Sequence, residues 1–202
     1  AVLIQFVQGE PHGRYFMPHG AGVAFSRNLY RWSPQIRRDD GFMRIVWGMG
    51  TRAVDTVGND HPRLVALSHP LLHPAAESRM IRRYSQQFVD LIDLQENTFK
   101  TLPIAQVLNP RHPALRYIAQ VDDGDYLSAI RTSMVDVNKM VVTFDEMLRR
   151  TPFAAHMRTA LKLLEEHYRS PVDTEFTVQV LDPETVQPSI KISLLQCRPQ
   201  SH

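Results

Sequence analysis

Two segments near the C-terminus, Asp173-Thr174-Glu175-Phe176-Thr177 and Ile192-Ser193-Leu194-Leu195-Gln196-Cys197-Arg198-Pro199, constrain this chain more than any other stretch. Each reads as a β-strand. Side chains alternate along a strand with period two, so a carboxylate (Glu175), an amide (Gln196) and a guanidinium (Arg198) fall on matching faces of two neighbouring strands. Such a trio suits a metal-bound polyphosphate, because magnesium takes oxygen ligands and arginine grips phosphate with a planar fork. The same residues also occur at solvated sheet edges. Spacing leaves both readings open.

The stretch Leu164-Glu165-Glu166-His167-Tyr168-Arg169-Ser170-Pro171-Val172-Asp173-Thr174-Glu175-Phe176, followed by Leu194-Leu195-Gln196-Cys197-Arg198-Pro199, resembles the end of the nucleotide-binding domain of phosphoenolpyruvate synthases and pyruvate phosphate dikinases. The front of the chain is similar to the same domain through Val2 to Val7 and through Gly22-Val23-Ala24-Phe25-Ser26-Arg27-Asn28. The resemblance implies an ATP-grasp-like fold, α+β, in which two lobes hold ATP. The chain would then be the second lobe: a mixed or antiparallel sheet with flanking helices, one domain over residues 1–202, forming the C-terminal portion of the nucleotide-binding domain.

What the resemblance implies for the site can be carried over residue by residue. Glu175 and Gln196 match positions that bind Mg²⁺ and the polyphosphate, and Arg198 matches the catalytic arginine that contacts phosphate. Ser26 matches a Ser/Thr near the phosphates. The backbone from Gln5 to Val7 matches a strand edge against adenine. The implied activity is ATP-dependent phosphoryl transfer to a carrier histidine, with ATP, the first lobe and a phosphohistidine domain of a parent polypeptide as partners. The carrier motif is not found here, since His19 before Gly20 and His69 after Ser68 lack its double glycine. One departure stands out: related synthases read Gly-Leu-Gly-Glu where this chain reads Gly48-Met49-Gly50-Thr51. A degenerate nucleotide-binding or scaffold domain is therefore the alternative, and a protein-binding module without nucleotide is a third reading.

Charge and composition narrow the field further. Lys and Arg number 23 against 21 Asp and Glu, scattered along the chain, which gives no concentrated field for nucleic acid or an anionic membrane. No apolar run approaches the length of a membrane span. The single cysteine, Cys197, cannot form an intrachain disulfide and fits a reducing, cytoplasmic setting as a packing residue. Nine histidines invite a zinc reading, but His61, His69 and His73 are each followed by proline and lack the accompanying glutamate of a zinc protease. No P-loop or nucleophile elbow occurs.

Along the chain the patterns predict strands over residues 1–8, 21–26, 43–47, 63–68, 85–94 and 103–108, the first two forming a hairpin with a long loop. Gly48 to Thr51 leads into a helix from Thr51 to Val57 whose N-terminus faces the glycine turn. A short helix is expected near residues 75–83. Thr143-Phe144-Asp145-Glu146 has capping-box spacing, and Thr151-Pro152 opens a longer helix whose Phe153, Met157, Leu161, Leu164 and Tyr168 share one face. Strands 173–180 and 190–197 should pair antiparallel and bring Glu175 to Gln196.

Overall fold

A computed structural model describes residues 1–55 and 58–200. Residues 1–9 run extended without joining a sheet, so the strand expected over residues 1–8 does not form; Val2, Ile4 and Phe6 stand in solvent. The hairpin near the front is instead a small one, β1 (Glu10–His12) with β2 (Tyr15–Met17). The following run of small and β-branched residues forms β3 (Gly20–Phe25), then β4 (Phe42–Val46). A single helical turn, α1 (Thr51–Val54), ends at Asp55, and the rest of the expected helix, Thr56 and Val57, lies outside the described residues.

The chain continues through β5 (Arg63–Ala66), α2 (Ser78–Arg83), β6 (Phe88–Asp93) and β7 (Thr98–Pro103). Residues 103–108, expected as a strand, instead turn into α3 (Ile104–Val107), because β7 has already paired with β6 and Pro103 offers no N–H to extend a ladder. After α4 (Leu115–Ile118) come β8 (Ala119–Asp122), β9 (Leu127–Ala129) and β10 (Met140–Val142). α5 (Asp145–Arg150) follows, but without its capping box. The Thr143 hydroxyl accepts the Asp145 N–H at 3.3 Å while donating to Gln120 at 2.9 Å, but Glu146 receives Gln120 at 3.2 Å and does not close the box. The long helix α6 (Phe153–Tyr168) leads into β11 (Val172–Leu181) and β12 (Ser189–Pro199).

Among the described residues these strands form three antiparallel sheets: β1-β2-β6-β7, β10-β8-β9 and the five-stranded β12-β11-β3-β4-β5. The α+β expectation holds, with an antiparallel sheet and a flanking helix. Phe153, Met157 and Leu161 of α6 are buried, Leu164 is partly so, and Tyr168 at the far end is 43% exposed. This stripe packs on the even-numbered face of β11, where Val172, Phe176 and Val178 are sealed from water, and the Phe153 and Phe176 rings lie 6.0 Å apart. Each such side chain contributes about 1.5 to 3 kcal/mol by burial, which fixes which face of β11 is left for chemistry. The opposite face carries Asp173, Glu175, Thr177 and Gln179.

Candidate nucleotide site

β11 and β12 pair antiparallel in a register that sets Glu175 opposite Gln196 and Asp173 opposite Arg198. A strictly alternating β12 would put Gln196 and Arg198 on the side of Ile190 and Ile192, which pack against the core. A β-bulge prevents this. Phe176 pairs with Leu194 while Glu175 pairs with Gln196, so Leu195 is an extra residue and the polar side chains turn toward Glu175. The bulge also takes Leu195 out of the ladder, and the Gln5 side-chain amide donates to its carbonyl at 2.8 Å. That bond ties the N-terminal segment to the site.

Together these elements wall a groove of about 420 Å³ lined by Gln5, Val7, Gly50, Thr51, Glu175 and Thr177, with Phe6, Met49 and Leu195 beside them. Its floor is bare backbone at Gly22, where a Cβ would come within 1.8 Å of the Arg44 carbonyl oxygen of the neighbouring strand. Gly48 is required for a different reason: its φ is +86°, and a Cβ would meet Val89 Cγ2 at 2.5 Å and the Asp90 carbonyl at 2.6 Å. The turn after it is anchored by Met49 N–H donating to Asp90 O at 2.8 Å. Arg52, largely buried, pairs with Asp60 at 3.0 Å and Asp90 at 3.2 Å, holding Thr51 at the groove. α1 is a single turn, so no developed helix dipole stands behind the glycine turn.

Thr177 was not anticipated from the sequence, although it lies two residues after Glu175 and therefore on the same face. It is 7% exposed, lines the groove, and among the described residues its hydroxyl has no hydrogen-bond partner. A buried unpaired hydroxyl costs about 1 to 3 kcal/mol, a cost that a ligand atom in the groove would relieve. Glu175, Gln196 and Thr177 offer only oxygen donors from carboxylate, amide and hydroxyl, a set that fits Mg²⁺ rather than zinc.

The structure places the remaining expected residues differently. Arg198 donates from Nε to Asp173 Oδ1 at 2.8 Å and leaves most of its guanidinium in water, 67% exposed, outside the groove lining. Gln196 is likewise at the exposed rim. Ser26 is 4% exposed; its N–H donates to Val172 O and its hydroxyl accepts Val172 N–H, both at 2.9 Å. It lines a separate cavity with Arg27 and Glu165, away from Glu175. Cys197 faces the core side, opposite Thr174, and burial pushes its thiol pKa up.

The sequence model of one family, described as pyruvate phosphate dikinase, AMP/ATP-binding domain, matches residues 1–202. The chain belongs to that family. No curated protein matches it. The match covers the whole length and gives no support to the narrower placement in a C-terminal portion. Gln5, Val7 and Glu175, expected on the adenine and phosphate sides, line one groove. Among the described residues no helix is long and apolar enough to cross a membrane.

A second polar cluster in this dikinase-family domain looks like a metal centre and is not one. Glu10, His19 and His112 bring ligand atoms within 4.8 Å of one another. However, His19 Nδ1 accepts the Val180 N–H at 2.9 Å and His112 Nδ1 accepts the Ala114 N–H at 3.3 Å. Their protons therefore sit on Nε2, facing Glu10 Oε1 at 2.5 and 3.6 Å, and neither ring turns a lone pair toward an ion. The carboxylate bridges two imidazole N–H groups, and the hydrogen bond from His19 lowers the Glu10 pKa. Burial and the neighbouring His112 hold the His12 pKa down to about 4.

Proposed function

We propose that this domain holds Mg-ATP in the Glu175 groove and presents it for phosphoryl transfer to a histidine on a separate domain, as one lobe of an ATP-grasp-like fold whose other lobe closes the groove. The single observation that carries the reading is the Glu175–Gln196 cross-strand pair beside the unpartnered Thr177 hydroxyl, with Glu175 and Thr177 lining the groove that Gln5 also lines. Glu175 and Gln196 would hold Mg²⁺, which when bound neutralises charge on the polyphosphate. Thr177 donates its hydroxyl to a phosphate oxygen or to a metal-bound water. Arg198, kept at the rim by Asp173, swings its free guanidinium edge to the transferring phosphoryl group. Gln5 and Val7 set the adenine end, and the glycine floor lets the nucleotide approach the backbone. In the transfer a P–O bond of the nucleotide breaks, its electron pair leaves on the phosphate oxygen, and a histidine nitrogen lone pair forms the P–N bond. These residues contribute alignment and charge, which is most of what this chemistry requires of a protein. Cys197, shielded and without a disulfide partner, supports a reducing, cytoplasmic setting.

Thr51 favours a second reading. It lines the groove at a position where related synthases place a glutamate, which supports a domain that binds nucleotide without transferring it.

Titration of the chain with ATP, with and without Mg²⁺, tests the site. Glu175→Gln should weaken Mg-ATP by about tenfold or more and AMP little, since it removes charge at the metal and nothing at the adenine end. A variant whose Mg²⁺-dependent affinity equals that of the wild type would remove Glu175 from the site. In the parent polypeptide, histidine labelling from ATP separates the two readings: labelling supports transfer, and binding without labelling supports the second.

A further inference from the structure

A second cleft, about 350 Å³, shares no lining residue with the nucleotide groove. It lies among β5, α2, the His73–Ala75 segment and Val142 of β10. Pro62, Leu64, Met80, Ile81 and Val142 make its walls apolar. Aromatic rings join the lining: the His61 and Tyr84 rings meet edge to face at 5.3 Å, Arg83 lies over Tyr84 at 5.8 Å, and the Tyr84 and Tyr30 residues are 49% and 56% exposed. Half-exposed rings beside an apolar slot leave surface for stacking.

The charged residues at the base are occupied with one another. Arg63, 8% exposed, donates from Nε to Thr143 O at 3.1 Å and from Nη2 to Pro70 O at 3.0 Å and Asp145 Oδ1 at 3.2 Å, and from Nη1 to its neighbour's carbonyl. It therefore offers no open fork to an anion. Asp145 also receives His73 Nε2, at 2.8 and 3.0 Å from its two oxygens. With the proton on Nε2, the other ring nitrogen, Nδ1, is a lone-pair acceptor, and among the described residues no donor meets it. The cleft thus combines a volume in the range of small-molecule sites, apolar walls, aromatic lining rings, a charge-balanced base and one vacant acceptor.

We propose that this cleft is a binding site for an uncharged, planar heteroaromatic molecule, which stacks at Tyr84 and His61 and gives one N–H or O–H to His73 Nδ1, independently of nucleotide. Anionic ligands are disfavoured because Arg63 is saturated, and purely aliphatic ones leave the ring faces and the acceptor unmet.

Indole is the probe, with benzofuran as its isostere lacking the N–H donor. Binding is followed by NMR of the Met80 methyl and the His73 ring in the full chain. Indole should give saturable shifts at both residues, and benzofuran should bind roughly tenfold more weakly. Ala75→Trp, which fills the cleft from its lining, should abolish the shifts while ATP still binds. His73→Lys keeps a donor toward Asp145 but carries no acceptor, and should bring indole and benzofuran to equal affinity at Met80. Saturating Mg-ATP should leave indole bound. Absence of saturable shifts, equal affinity of the two probes for the wild type, binding that survives Ala75→Trp, or displacement by ATP would each overturn the proposal.

Discussion

Thr177 shows how a single atom separates stability from function. Among the described residues its buried hydroxyl has no partner, so Thr177→Val should raise the stability of the ligand-free domain by about 1 kcal/mol while weakening Mg-ATP. Denaturant melts and nucleotide titration on the same variant check both halves; a variant that is less stable and binds normally would make the hydroxyl structural. His12 gives a pH signature. Its ordinary pKa of 6.5 falls to about 4 in the fold, so the unfolded chain takes up a proton that the folded one refuses. The resulting stability is complete above pH 6.5 and is lost as pH falls toward 4, up to about 3 kcal/mol. The lowered pKa values of His112 and Glu10 act in the same direction, the latter below 4.5. Urea melts from pH 7.5 to 4.5 should fall with acid, and His12→Gln should flatten that slope; superimposable profiles would refute the assignment.

At the scale of elements, the bulge in β12 decides the site. The extra residue, Leu195, allows one strand to give Ile190 and Ile192 to the core and then turn Gln196 and Arg198 to Glu175 and Asp173. Deleting Leu195 should leave a regular ladder with Glu175 still opposite Gln196, and so a folded domain. What is lost is the carbonyl that Gln5 grips, so residues 1–8 should become more sensitive to protease and ATP should bind more weakly. Unchanged proteolysis at the N-terminal segment would show that Gln5 does not anchor it. The turn from Gly48 to Thr51 is stiffened in a comparable way by Arg52, Asp60 and Asp90, whose burial makes their pairing matter more than that of a surface ion pair.

For the whole molecule, Arg63 joins parts distant in sequence: β5, the Pro70 loop, Thr143 and α5. Arg63→Met should cost about 3 kcal/mol or more by leaving Asp145 with His73 alone and three carbonyls without a donor, lowering Tm by roughly 10 °C. Arg149→Met, which removes a half-exposed partner of Glu146, should cost under about 1 kcal/mol. Equal losses in the two melts would show that Arg63 is not a tertiary clamp.

The sequence alone determined what short-range chemistry controls. The terminal strands, their antiparallel pairing and the α6 stripe were legible because period two and period 3.6 are local properties of Glu175, Thr177, Phe153, Met157 and Leu161. The glycines of the Gly48 turn were visible too. Tertiary structure decided the rest. Residues 1–8 have the composition of a strand, yet among the described residues they join no sheet. Thr143 and Glu146 have the spacing of a capping box, and Thr143 receives the Asp145 N–H, but the distant Gln120 takes Glu146. Ser26 carries a family motif and is satisfied by Val172, 146 residues away. The bulge at Leu195, which no periodicity announces, gave Gln196 its direction: a one-residue shift reverses every side chain beyond it, and only packing of β12 on β11 selects where that shift occurs.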